Sequence, residues 1–112
     1  NTKMPYNLDA WDGYPAEREK LYATAQQTNK SLIVLAGDTH NAWHSVLSAQ
    51  NGLPVGVEFA TPAVSSPGME YYLRTEHETS SKLAQQLPLL IDDLQYCNLH
   101  QRGYMTITLT SQ

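Results

Sequence analysis

The run Ser31-Leu32-Ile33-Val34-Leu35-Ala36 constrains this chain more than any other feature. It is short, continuously apolar, rich in branched side chains, and closed by Gly37-Asp38. A strand buried on both faces reads this way. The segment before it reads as a helix over residues 15–28. Pro15 can open a helix because its missing N–H costs nothing in the first turn. Glu17 and Glu19 suit the positive end of the helix dipole. Arg18, Leu21, Tyr22 and Ala25 recur at three- and four-residue spacing, and Asn29 can close the helix. Helix, short loop, buried strand and Gly-Asp together make an α/β layout. Ligands bind such sheets at the carboxyl ends of their strands, and Gly37-Asp38-Thr39-His40-Asn41 falls there.

Residues 45–48 and 54–60 read as two strands paired across the turn Asn51-Gly52. Residues 61–68 form a loop rich in Pro, Ser and Gly, and 69–76 allow one helical turn. Residues 78–86 and 88–93 read as helix broken at Pro88. Residues 94–99 and 104–110 read as strands. In the second, Met105, Ile107 and Leu109 alternate with threonines, the pattern of a half-buried strand. Residues 1–14 mix aromatic rings with turn formers, as an ordered loop does.

The chain's 112 residues suffice for one domain. Its formal net charge of −4 and scattered Lys and Arg give no footprint for nucleic acid. No apolar run approaches the roughly 20 residues that span a bilayer. A single cysteine, Cys97, excludes an internal disulfide and a zinc ribbon, and reads as a small buried hydrophobe. The start is Asn1 rather than Met and lacks a basic region followed by an apolar stretch, so a fragment is expected.

Asp38 and His40 are the leading candidates for chemistry. A carboxylate oxygen and an imidazole nitrogen both suit di- or trivalent metals, at about 2.0–2.2 Å for zinc-like ions. In an extended segment, side chains two apart point the same way, so one loop would present both. The competing reading is a turn or helix cap. Asn41, Trp11 and Asp12 are candidate substrate-side residues. Asn41 could equally cap the loop, and Trp11 could anchor it. His44 is expected in a strand as a surface or packing residue rather than a ligand, and His77 and His100 in solvated loops. Ser65 and Ser66 could join His40 and Asp38 in a serine hydrolase. Against this, no Gly-x-Ser-x-Gly elbow is present, and Asp and His two apart align poorly as base and orienter.

Four blocks occur in order along nearly the whole chain: residues 7–18 (NLDAWDGYPAER), 35–43 (LAGDTHNAW), 57–68 (VEFATPAVSSPG) and 101–104 (QRGY). Together they resemble the C-terminal part of the alkaline phosphatase D family. The resemblance implies one partial domain over 1–112, the C-terminal portion of a calcineurin-like metallophosphoesterase α/β sandwich. It implies two or more metal ions, iron and calcium among them, with Asp38 and His40 as ligands in the family's Gly-Asp-x-His pattern. It implies hydrolysis of phosphate mono- or diesters by metal-activated water, and export to the periplasm or cell surface.

The family's earlier ligands lie on loops that precede this segment, so the isolated chain is expected to be inactive. The partners implied are a phosphate ester substrate and the N-terminal part of the same enzyme. An exposed sheet edge could also pair with another copy. The reading from a different class is a non-catalytic α/β binding module.

Overall fold

The structure is a computed structural model that describes residues 8–111. The first seven residues of the expected N-terminal loop lie outside it. A 3-10 turn at Trp11–Gly13 leads into α1, Pro15–Gln27. Asn29 takes a left-handed φ of 51°. Its N–H donates to the Gln26 carbonyl, and that of Lys30 to Ala25, each at 3.1 Å. This is the motif by which an asparagine satisfies the last carbonyls of a helix.

Four strands follow: β1 (Leu32–Ala36), β2 (Ala42–Ser48), β3 (Pro54–Ala60) and β4 (Leu94–Asn98). They form one sheet in the order β1-β3-β2-β4. β1 and β3 are parallel, and β2 is antiparallel to both β3 and β4. The β2–β3 hairpin turns at Asn51-Gly52, where Gly52 takes a φ of 78°. A single helical turn, α2 (Met69–Tyr72), precedes α3 (His77–Leu90).

Three sequence expectations are corrected. First, α3 does not break at Pro88. Proline removes the N–H that would have bonded the Ala84 carbonyl. That carbonyl instead accepts the buried Cys97 thiol at 3.4 Å, and the helix runs on to Leu90. Second, β1 is not buried on both faces. It is an edge strand with Ile33 61% and Leu35 56% exposed. Third, residues 104–110 form no strand. Their alternation is real, but among the described residues no neighbour pairs with them. Tyr104 and Leu109 are largely exposed.

The cross-strand registers sort the sheet into two faces. On one, Trp43 stands between Ala60 and Cys97. Trp43, Leu83, Ala84 and Leu87 pack around the buried Leu94, Cys97 and Leu99 beneath α3. Tyr22 of α1 packs with Val55 and Ala49 at the other end of the sheet. On the opposite face, Leu35, Phe59, His44 and Tyr96 align in one row, and Ile33, Val57 and Val46 in another. His44 stacks on Phe59 with ring centroids 4.6 Å apart, the packing role expected of it. Ile33, Leu35 and Tyr96 are exposed on that face.

Candidate metal-ligand loop

The two parallel strands, β1 and β3, end at the same side of the sheet, joined by a hydrogen bond from the Thr61 N–H to the Ala36 carbonyl at 3.0 Å. Two loops leave from there. Residues 37–41 carry the chain from β1 past β3 to β2. Residues 61–68 carry it from β3 to α2.

The 37–41 loop is coiled, not extended. Asp38 and His40 both have left-handed backbones, with φ of 66° and 59°. The Thr39 N–H bonds back to the Gly37 carbonyl at 2.8 Å, closing a tight turn around Asp38. Aspartate and histidine tolerate this region better than most residues. Such conformations cost on the order of 1–3 kcal/mol and persist only where the surroundings hold them. The expectation that extended spacing aims both side chains alike is therefore wrong. Their directions are set by two positive-φ residues instead.

Asp38 is exposed, and no hydrogen bond or ion pair links it to His40. His40 is half-buried, and its ring Nδ1 lies 2.9 Å from the Pro67 carbonyl in the second loop. A carbonyl can only accept, so Nδ1 is the donor in this contact, and in the neutral ring that leaves the lone pair on Nε2.

Asn41 is fully buried. Its Oδ1 accepts the Met69 N–H at 2.8 Å, and its own carbonyl accepts the Thr39 hydroxyl at 3.3 Å. Trp11 and Asp12 are not brought to this loop by any hydrogen bond or ion pair. Asp12 pairs with Arg18 at 3.0 Å, and Trp11 lines a shallow depression with Asp9, Ala10, Tyr14 and Glu17.

Sequence reasoning passed over Pro67, Glu70 and Arg102. Glu70 and Arg102 form a partly buried ion pair, and Glu70 Oε1 also accepts the Gly68 N–H at 3.3 Å. Burial alone would raise the Glu70 carboxyl. The Arg102 hydrogen bond, backbone N–H bonds and the Arg102 charge outweigh it and hold the carboxyl below its usual range. Gly68 and Arg102 do fall within the sequence blocks quoted above, which is the signal that marks them. His100 is not solvated as expected. It is half-buried and lies edge-on against His77, with ring centroids 3.9 Å apart. Burial, then the His77 charge, push its pKa down against the pull of Glu70.

A mixed sheet whose loops leave beyond the carboxyl ends of two parallel strands places the chain among the α/β proteins, whose ligands bind at those ends. Comparison narrows the class. The family model for PhoD-like phosphatase matches residues 1–112, and the chain belongs to that family. It is 30% identical over 110 residues to alkaline phosphatase D of Bacillus subtilis (strain 168), covering 94% of this chain. It is similar to a solved structure titled "Structure of PhoD", with a TM-score of 0.64, 29% identity and 88% of this chain covered. The chain spans 18% of the length of each.

Proposed function

We propose that this chain supplies Asp38 and His40 as metal ligands to a multinuclear centre that hydrolyses phosphate mono- or diesters, completed by a longer polypeptide of the same enzyme. The observation that carries the reading is the bond between His40 Nδ1 and the Pro67 carbonyl. Metal-ligating histidines characteristically donate their second ring nitrogen to a backbone carbonyl or carboxylate, which fixes the tautomer and aims the free nitrogen. Asp38, exposed beside it, offers a hard oxygen donor suited to iron- or calcium-like ions.

The fit is partial. Among the described residues, no three His, Cys, Asp or Glu side chains stand together to hold one ion. Catalytic sites usually have three or more protein ligands. The isolated chain is accordingly inactive in this reading, and the remaining ligands come from the rest of the polypeptide. When bound, the metal would lower the pKa of water and screen phosphoryl charge. The residues of this chain do the holding: His40 presents Nε2 in a fixed direction, and Asp38 brings negative charge to the strand ends.

The exposed Ile33, Leu35 and Tyr96 on one face of the sheet support the same reading. The radius of gyration is 15.5 Å, against about 13 Å for a compact domain of this size. In this reading the face, and the unpaired 104–110 segment, dock on the remainder of the enzyme, which is exported to the periplasm or cell surface. Asn41 serves the site from beneath, while Trp11 and Asp12 border the substrate only if docking brings them there.

The test is metal analysis and turnover of a chromogenic phosphomonoester and phosphodiester by the full-length enzyme carrying Asp38→Ala or His40→Ala. Both variants should lose metal and most activity. Full retention of both would refute the ligand assignment. Stoichiometric metal on the 112-residue chain alone would refute the split site.

A further inference from the structure

We propose that Asn41 is a positioning residue for His40, acting through a partly buried clamp that Gly68, Glu70 and Arg102 complete; this rests on the reading of His40 as a metal ligand. The clamp grips one peptide unit, Pro67–Gly68, from both ends. Its carbonyl accepts the proton on His40 Nδ1 at 2.9 Å. Its N–H donates to Glu70 Oε1 at 3.3 Å, and Arg102 holds that carboxylate. A carboxylate on the N–H end polarises the peptide and makes its carbonyl a stronger acceptor. The next N–H, of Met69, goes to Asn41 Oδ1 at 2.8 Å. Since Asn41 follows His40 directly, the coiled loop is fastened to the second loop at two consecutive residues.

The space around Gly68 shows why the arrangement is close. Gly68 is buried, and its φ of −104° is open to any residue, so backbone freedom does not require glycine there. Room does. A Cβ would stand 2.6 Å from Asn41 Nδ2 and 2.8 Å from Glu70 Oε2. Those two atoms, a donor and an acceptor, are both buried and without a hydrogen-bond partner. Both converge on the one place where a side chain is missing. A direct or water-mediated bond between them would close a ring from Asn41 through Glu70 to Arg102. The bonds present already hold the Pro67–Gly68–Met69 backbone through Glu70 and Asn41, and the Pro67 carbonyl in turn sets the His40 ring.

Partners that orient a metal-binding histidine characteristically affect metal affinity by about 10–100-fold when removed. The experiment uses the full-length enzyme with Asn41→Ala, Gly68→Ala or Arg102→Gln, beside Asp38→Ala. It measures metal release into excess chelator at a temperature where circular dichroism shows every variant folded. Activity is also titrated against added metal. Expected are release about 10–100-fold faster in the clamp variants and a matching rise in the metal concentration for half activation, with turnover at saturating metal within a few-fold of the unaltered enzyme. A merely structural role would lower the melting temperature of the metal-free protein and leave both metal readings in place.

Clamp variants that hold metal within twofold of the unaltered enzyme, while Asp38→Ala loses it, would overturn the clamp alone. Retention of metal by Asp38→Ala and His40→Ala would overturn the ligand reading and the clamp with it. Should Asn41→Ala not fold, Gly68→Ala decides, since it deletes no hydrogen-bonding group and acts by pushing the Asn41 amide and the Glu70 carboxylate out of place.

Discussion

Truncating Ile33 and Leu35 to alanine distinguishes a face that is solvent-exposed in the working enzyme from one that docks. The two side chains are 61% and 56% exposed on one face of β1. Fully burying such a side chain is worth about 1.5–3 kcal/mol. Somewhat more than half of that remains to be gained, so docking would add about 1–2 kcal/mol per residue. In the 112-residue chain, Ile33→Ala with Leu35→Ala removes only the part already buried and should cost about 1–2 kcal/mol. In the full-length enzyme, the same pair should cost about 2–4 kcal/mol more, because the docked area is lost and a cavity remains. Urea denaturation of both chains, followed by intrinsic fluorescence, gives the two differences. Sedimentation velocity of the short chain gives a second reading. An apolar face and open strand edges predict association that rises with concentration and falls in the double variant. Equal losses in the two contexts, with the short chain monomeric throughout, would show that nothing covers this face.

Leu99 is 1% exposed beneath α3, so Leu99→Ala should destabilise by about 2–5 kcal/mol in urea unfolding; a loss well under 1 kcal/mol would mean the site collapses around the gap. His100 has a lowered pKa, from burial and then the His77 charge, so the unfolded chain takes up a proton at about pH 6.5 that the folded chain refuses. Its contribution is complete above that pH and is lost on acidification, so the thermal midpoint should fall between about pH 7 and 5 and fall less in His100→Gln. An identical pH profile in the variant would contradict this. Glu58 carries the opposite sign: burial raises its carboxyl, so the stability present below the unfolded pKa is lost as pH rises through the folded value. Glu58→Gln should therefore melt higher than the unaltered chain at pH 8, by a margin that shrinks toward pH 4. A margin independent of pH would point to packing instead.

Local patterns were legible where local physics decides. Pro15, the early glutamates and Asn29 bracket α1, and they are its start and stop in the structure. Asn51-Gly52 marks the hairpin, and the alternation at 54–60 marks β3. What failed depended on neighbours. The apolar run 32–36 reads as doubly buried, and its composition suits such a position, yet only one of its faces is covered by this chain. The threonine alternation at 104–110 is a strand pattern without a strand beside it. Pro88 reads as a break because sequence cannot show that a thiol nine positions later takes up the orphaned carbonyl.

The site divides along the same line. Gly-Asp-x-His is visible as a word, and its place after β1 follows from the α/β layout. Its geometry is not visible, because it is made by pairs far apart in sequence. His40 meets Pro67 across 27 positions, Asn41 meets Met69 across 28, and Glu70 meets Arg102 across 32. None of these contacts follows from a helical or strand period. The first two arise because β1 and β3 run parallel and release their loops on the same side, so the second loop can steady the first; the third ties α2 to the segment that follows β4. That topology also explains how two residues with left-handed backbones persist in five positions. The strain of the 37–41 turn is offset outside the turn, by hydrogen bonds to a peptide and an N–H that the β3 loop delivers. In the proposed site the motif is therefore one part of the arrangement and not the whole of it. The β3 loop that holds it is as much a part as Asp38 and His40 themselves.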